Sequence, residues 1–486
     1  MAQDVDIKQL RRRATSGARW TATATGVRVV LQFVQLAILA RLLRVEDFGL
    51  MAIANVVLAF AVAFADAGVS NAIIHFRDAK REELSSLYWL NVIGGAVIFG
   101  VMWLAAPWIA SFYHQPTLAP VLRATSVIFV IGPLGQQFQV LFERDLRFRR
   151  LAAIEIVSMV ASSVVGIVMA WRGFGVWSLV WSGVLGSALR ALALATLGWS
   201  QWRPMFRFVP RECKRFLHFG AYQMGERVVN LAGQHLDKLV IGFLLGTTLL
   251  GYYELAYRFI SRPYQIINSL FTRVAFPVFS TVQHDRERLR KGYLELIEAL
   301  GAVTIPLYVA LLALAEPIVG VQLGPRYGTT VSLLQILWIV GLSFSLTSPA
   351  GTLLLACGRA DIGFYVNLVR TALIIVGVWI GSHWGLVGIA WALVAVVVAV
   401  MFPVQVYVRW LIVGMGWREF ISRLAPFFGA AAAAAAVCLA ANRWLPFPSD
   451  IAELAVMLPV AGAIYAGLLW WRHRARMRHI IRLIRS

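Results

Sequence analysis

The stretch ILARLLRVEDFGLMAIA, residues 38–54, aligns without gaps on VIGFLLGTTLLGYYELA, residues 240–256, at an offset of 202. Identities fall at Leu42/Leu244, Leu43/Leu245, Gly49/Gly251 and Ala54/Ala256. Leucine matches alone mean little in an apolar chain, but each window runs through the turn between two long apolar segments. About 20 helical residues cross a ~30 Å hydrocarbon layer. On that yardstick segments lie at 18–43, 48–74, 86–112, 118–142, 151–171, 174–199, 216–246, 251–279, 293–322, 329–356, 361–381, 385–410, 424–441 and 451–471. Six spans separate the two windows, an even number, so the repeat is parallel, with its axis along the membrane normal. Two such six-helix lobes around a midplane site are a transporter architecture.

Composition agrees. Of 486 residues, 59% are apolar and only 14% charged, and mean hydropathy is +0.72. An ordinary soluble domain is about 45–50% apolar and about 25% charged. The expected fold is therefore an all-α polytopic membrane protein of about 14 transmembrane helices. Residues 1–17 form a cytoplasmic N-terminal segment, 18–199 an N-lobe, 200–215 an inter-lobe linker and 216–410 a C-lobe. Residues 424–471 are accessory spans 13 and 14, and 472–486 a basic cytoplasmic tail. The first apolar run is too long for a signal-peptide core of ~7–15 residues and reads as a retained span.

The formal net charge is +21, a figure that invites a nucleic-acid reading. The basic residues, however, sit in short clusters between apolar runs, as cytoplasmic loops of membrane proteins do. With fourteen spans these clusters all fall on one face, and the opposite loops hold only Arg41, Arg44, Arg172, Arg326 and Arg443. Both termini are thus expected in the cytoplasm, and no nucleic-acid partner is expected. The tail from Trp470 interleaves arginines with Ile480, Ile481, Leu483 and Ile484, the pattern of an amphipathic helix on an anionic leaflet. Cys213, Cys357 and Cys438 are widely spaced, with no zinc or disulfide pattern. GxSxG, HExxH and GxxxxGK[ST] are absent, so a transporter rather than an enzyme is expected.

An ionisable side chain at mid-bilayer costs roughly 2.5–3.5 kcal/mol on insertion scales and needs a reason. Arg28 falls near the middle of span one and Arg227 near the middle of span seven. Glu254, Arg258 and Arg262 lie at i, i+4 and i+8 on span eight, one helical stripe. Guanidinium groups suit phosphate, because the donor fork is bidentate and never deprotonates. Arg28, Arg227, Arg258 and Arg262 are the candidate cationic cavity for an anionic substrate such as a diphosphate. The competing reading is pairing within the protein, Glu226 or Glu254 with a nearby Arg and Asp237 with Lys238. No metal or organic cofactor is expected, and a coupling ion (Na+ or H+) could sit at Asp237 with Asn367 and Thr371, the last two one turn apart.

ARLLRVEDFG (40–49), ASFYHQPTLAPVLR (110–123) and FERDLRFRRLAAIE (142–155) resemble the polysaccharide transporter family of the multidrug/oligosaccharidyl-lipid/polysaccharide exporter superfamily. GFGVWSLV (173–180), LDKLVIGFLLG (236–246), GYYELAYRF (251–259) and LLLACGRADI (353–362) continue the likeness, which is to colanic-acid and O-antigen type flippases. The resemblance implies a flippase of the bacterial inner membrane, moving undecaprenyl-diphosphate-linked oligosaccharide by alternating access for exopolysaccharide, O-antigen or capsule synthesis. Its implied partners are the polyprenyl-linked glycan, membrane lipids, and the polymerase and glycosyltransferases of the same pathway. A related flippase of the peptidoglycan precursor carries cavity arginines on its first and eighth spans, where Arg28 and Arg258 lie here. Its two C-terminal helices form a groove for the lipid tail, a role that spans 13 and 14 would inherit. The alternative is a cation-coupled drug or metabolite exporter of the same superfamily.

Overall fold

The computed structural model describes residues 7–66, 81–145, 147–206, 208–444 and 447–485; side chains at 7–22, 65–66, 210–227, 229–230, 270, 273–274, 360 and 475–485 are outside the description. Residues 67–74 of the expected second span are likewise outside the described residues. What is described is helical, with no strand among it. The helices are α1 (Ile7–Leu42), α2 (Val45–Asp66), α3 (Arg81–Phe112), α4 (Leu118–Arg144), α5 (Phe148–Trp171) and α6 (Val176–Gly198). Pro210–Thr281 is one helical stretch broken at Gly246 into α7 (210–245) and α8 (247–281). Then come α9 (Arg286–Ala313), α10 (Gly328–Ala356) and α11 (Ala360–Gly381). Gly385–Ala395, a π-helical stretch Val396–Met401 and Phe402–Val413 together make α12. Trp417–Trp444 is α13 and Asp450–Arg485 is α14.

Among the described residues, twelve stretches are long and apolar enough to span a membrane. Two of them are double: Leu231–Ser269 contains the break at Gly246, and Asp361–Val413 contains the 3-10 turn Ser382–Trp384. Counted by its arms, each double stretch holds two helices, which is roughly consistent with the fourteen spans expected. At Gly246 φ is 82° and ψ 176°, a backbone that side-chain-bearing residues rarely adopt. Other ends are set by local chemistry. Asp285 caps α9 by accepting from the Glu287 and Arg288 amides at 3.2 and 3.0 Å, so the helix starts before its apolar run at 293. α14 breaks at His473 and resumes as the tail helix, as the sequence pattern suggested.

The chain divides into two compact units, Met1–Thr248 and Leu249–Ser486. In the first, α5 packs between α1 and α6, while α4 packs against α3 and α6. Leu87, Tyr88, Phe138, Phe142, Leu194 and Trp202 form a core near one end of these helices. Trp202 anchors the segment after α6, whose backbone is then held by α3. Ser85 Oγ accepts from the Met205 amide at 3.1 Å, Trp89 Nε1 donates to the Met205 carbonyl at 2.8 Å, and Ser86 Oγ accepts from the Val209 amide at 3.2 Å. Elsewhere in this unit Glu46 and Thr248, equivalent positions of the 202-residue repeat, hydrogen-bond at 3.2 Å. Close by in sequence, Phe112 stacks on Phe243 at 4.6 Å and the Tyr113 hydroxyl donates to the Leu239 carbonyl at 3.3 Å. Burial pushes that phenol up to about 12.

In the second unit α9 is central, packing against α10, α13 and α14, while α11 and α12 form a hairpin. Proline in a helix leaves the carbonyl four residues back without its amide donor. Pro306 does this to Ala302 on α9, and the Tyr465 hydroxyl of α14 supplies the missing donor at 2.8 Å. Near Pro263 on α8, Tyr308 reaches the Ile260 carbonyl at 2.6 Å. Much apolar surface stays outward, including Leu104, Trp108, Trp171, Trp384 and Trp444. Only lipid can solvate it at this density.

Candidate functional site

Arg28 stands on α1, half-exposed, with Nη1 2.7 Å from Glu155 Oε1 on α5. Two turns along the same seam Ser163 Oγ donates to Gln35 Oε1 at 3.0 Å. A polar ladder thus ties α1 to α5 through otherwise apolar helices. In the second unit Arg258 Nε lies 2.9 Å from Glu254 Oε1, one turn back on α8, and Glu254 is buried. Arg262 continues the stripe by one more turn and is exposed. The side chain of Arg227, with that of Glu226, lies outside the described residues.

Pairing within the protein, the competing reading of the deep arginines, is therefore realised at Arg28 and Arg258. It does not exhaust either group. A guanidinium has five N–H donors. Glu155 accepts from Nη1 of Arg28 and Glu254 from Nε of Arg258, which leaves the Nη fork of Arg258 unspent on its glutamate. Each pair can hold its arginine in a fixed rotamer while presenting donors to a multiply charged acceptor. The Glu254–Arg258 spacing is legible in sequence as an i, i+4 pair. Glu155, 127 residues from Arg28, carried no such signal.

The other deep basic residues use neutral partners. Arg190 Nη2 donates to Gln139 Oε1 at 2.9 Å, and Arg370 Cζ lies 5.9 Å from the Phe344 ring centroid. Of the residues considered for a coupling ion, Asp237 is buried on α7 in the first unit, beside buried Lys238. Asn367 and Thr371 are on α11 in the second unit, where the Thr371 hydroxyl donates to the Asn367 carbonyl at 2.8 Å. No cluster of three or more His, Cys, Asp or Glu occurs among the described residues. A further feature is a cleft of about 250 Å³ between α9, α13 and α14, lined by Pro306, Ala310, Ala434, Cys438, Leu458 and Tyr465. Its lining side chains are aliphatic apart from Tyr465 and Cys438, so it suits hydrocarbon rather than a sugar.

Among the described residues, twelve helical stretches apolar enough to cross a membrane, with arginines set into them, make this a polytopic helical membrane protein, and its fold is shared by solved transporters of the multidrug/oligosaccharidyl-lipid/polysaccharide exporter superfamily. The solved structure of the lipid II flippase MurJ in an inward closed conformation superposes with a TM-score of 0.76 at 15% identity, covering 94% of this chain and 99% of that one. An inward-facing multidrug resistance MATE transporter of the same superfamily gives 0.62 at 17% identity, over 79% of this chain and 94% of that one. The chain belongs to the polysaccharide biosynthesis protein family, whose model matches residues 38–332. It is 32% identical over 426 residues to the lipopolysaccharide biosynthesis protein WzxC of Escherichia coli, covering 86% of each chain. Over 410 residues it is 32% identical to the teichuronic acid biosynthesis protein TuaB of Bacillus subtilis, covering 84% of this chain and 83% of that one. The succinoglycan biosynthesis transport protein ExoT of Rhizobium meliloti is 26% identical over 488 residues, covering 97% and 96%.

Proposed function

We propose that this protein flips an undecaprenyl-diphosphate-linked oligosaccharide from the cytoplasmic to the outer leaflet of a bacterial inner membrane by alternating access. The product would feed exopolysaccharide, O-antigen or capsule synthesis, and both termini would lie in the cytoplasm. The observation that carries this reading is the reach of the likeness to a lipid flippase. It covers 94% of the chain, and the remainder is too short to contain α13 and α14. The likeness to MATE transporters covers 79% to 83% of the chain. A carrier of lipid-linked cargo needs somewhere for the hydrocarbon, and the cleft between α9, α13 and α14 offers it. Arg28, Arg258 and Arg262, with Arg227, are the donors for the diphosphate. A drug exporter for cationic compounds would instead favour acidic residues at these places.

The test is complementation in a strain lacking the cognate flippase. Arg28→Ala with Arg258→Ala should leave the protein in the membrane while export of polymer falls at least about tenfold, the loss of one charge-assisted contact of about 1.4 kcal/mol or more. Full export by the double variant would remove these arginines from the substrate's path. Dependence of flipping in proteoliposomes on a Na+ or H+ gradient would decide the coupling ion.

A further inference from the structure

Among the described residues no charged side chain is more enclosed than Arg409, which is 0% exposed. It lies on Phe402–Val413, beyond the π-helical stretch Val396–Met401 of α12. A π turn inserts one extra residue and rotates the helix beyond it by roughly 100°. Past that turn Arg409 is directed at α9 and α13. Its Cζ stands 4.0 Å from the Phe420 ring centroid, and Nε donates to the Gln405 carbonyl at 3.0 Å. Nη1 and Nη2 meet no acceptor from the protein. Nor does the hydroxyl of Tyr293 on α9, also 0% exposed and within electrostatic reach of the guanidinium.

The carboxylates of this region are committed elsewhere. Glu419, the neighbour of Phe420, holds Arg290 at 2.7 Å, and Glu298 holds Arg423 at 2.7 Å. Gln405 Oε1, one turn back on the same helix, meets no donor, and being neutral it supplies no counter-charge. A buried guanidinium with two unspent nitrogens and no counter-charge is among the costliest arrangements in a folded protein. The Phe420 face offsets part of that cost as a cation–π contact, but it leaves the in-plane N–H donors unanswered.

We propose that the junction of α9, α12 and α13 binds a monoatomic anion, chloride in the cell, held by the two Nη groups of Arg409 and the Tyr293 hydroxyl. Donors without acceptors, together with a net positive charge, select an anion. Enclosure selects for a small ion, because Arg409 and Tyr293 are both 0% exposed and a phosphate ester would need the helices to part. The site clamps three helices of the second unit and is separate from the arginines assigned to the substrate.

The experiment uses the full chain, purified and delipidated in detergent, with thermal unfolding followed as gluconate is replaced by chloride or bromide at constant ionic strength. A ligand that binds only the folded state raises Tm in a saturable way. The wild type should show that rise, Tyr293→Phe should shift its midpoint to at least about threefold higher halide, and Arg409→Met should abolish it. Bromide anomalous density beside the Arg409 Nη atoms would place the ion. Should Arg409→Met fail to fold, Tyr293→Phe alone decides. A wild-type Tm indifferent to halide, or an unchanged midpoint in Tyr293→Phe, overturns the proposal. So does a response to added phosphatidylglycerol without one to halide, which would assign the site to a lipid phosphate.

Discussion

Arg28 and Glu155 lie 2.7 Å apart with about 42% and 36% of their side chains exposed. Two ionised groups inside a span lose hydration that a single contact offsets only in part, so Arg28 invites a test for a second role. If Arg28 serves only to satisfy Glu155, then Glu155→Gln and Arg28→Ala should have the same effect on export. If Arg28 contacts the diphosphate, the two separate: Glu155→Gln keeps export within about twofold and the Tm within a few degrees, while Arg28→Ala loses export. Polymer yield in complemented cells, normalised to the amount of protein in the membrane, reads the difference. At this scale sequence was informative where partners are close in the chain, as for Glu254 and Arg258. It was silent where they are distant, as for Arg28 with Glu155 and for Arg409 with Phe420 and Tyr293.

Proline recurs inside the helices, and the second unit shows how the backbone accommodates it. The Ala302 carbonyl that Pro306 deprives of an amide is met by Tyr465 from α14, which joins an accessory helix to α9 beside the apolar cleft. Tyr465→Phe should therefore destabilise by about 0.5–1.5 kcal/mol, the net worth of one hydrogen bond. Pro306→Ala restores the amide, so in that background the same change should cost less. A double-mutant cycle in Tm or denaturant midpoint measures the coupling, and additive effects would separate the tyrosine from the proline. The prolines were legible in sequence as points of irregularity. Which side chain answers each one was not, because Tyr465 lies 163 residues from Ala302.

Across the whole molecule, fourteen crossings and the distribution of Lys and Arg make a definite prediction of sidedness. Alkaline phosphatase fused in the loops at Arg172, Arg326 and Arg443 should be active. A fluorescent protein fused after Ser486 should fluoresce, and phosphatase placed there should be inactive. With the N-terminus in the cytoplasm, activity at the C-terminal fusion would mean an odd number of crossings and overturn the count of fourteen. The two apolar stretches that run on as single long helical regions, broken at Gly246 and at Ser382–Trp384, are where a miscount would arise.

The all-α class, the fourteen spans and the repeat at an offset of 202 residues follow from sequence alone. The bilayer is a solvent of fixed thickness, and transfer into it is a property of about 20 consecutive residues, so it can be read along the chain. Tertiary structure decided what each polar group inside the spans touches: Glu155 beside Arg28, Tyr465 beneath Pro306, Phe420 under Arg409. In a medium without water every such group must find its partner within the protein, and which helix supplies it depends on packing between residues more than a hundred positions apart.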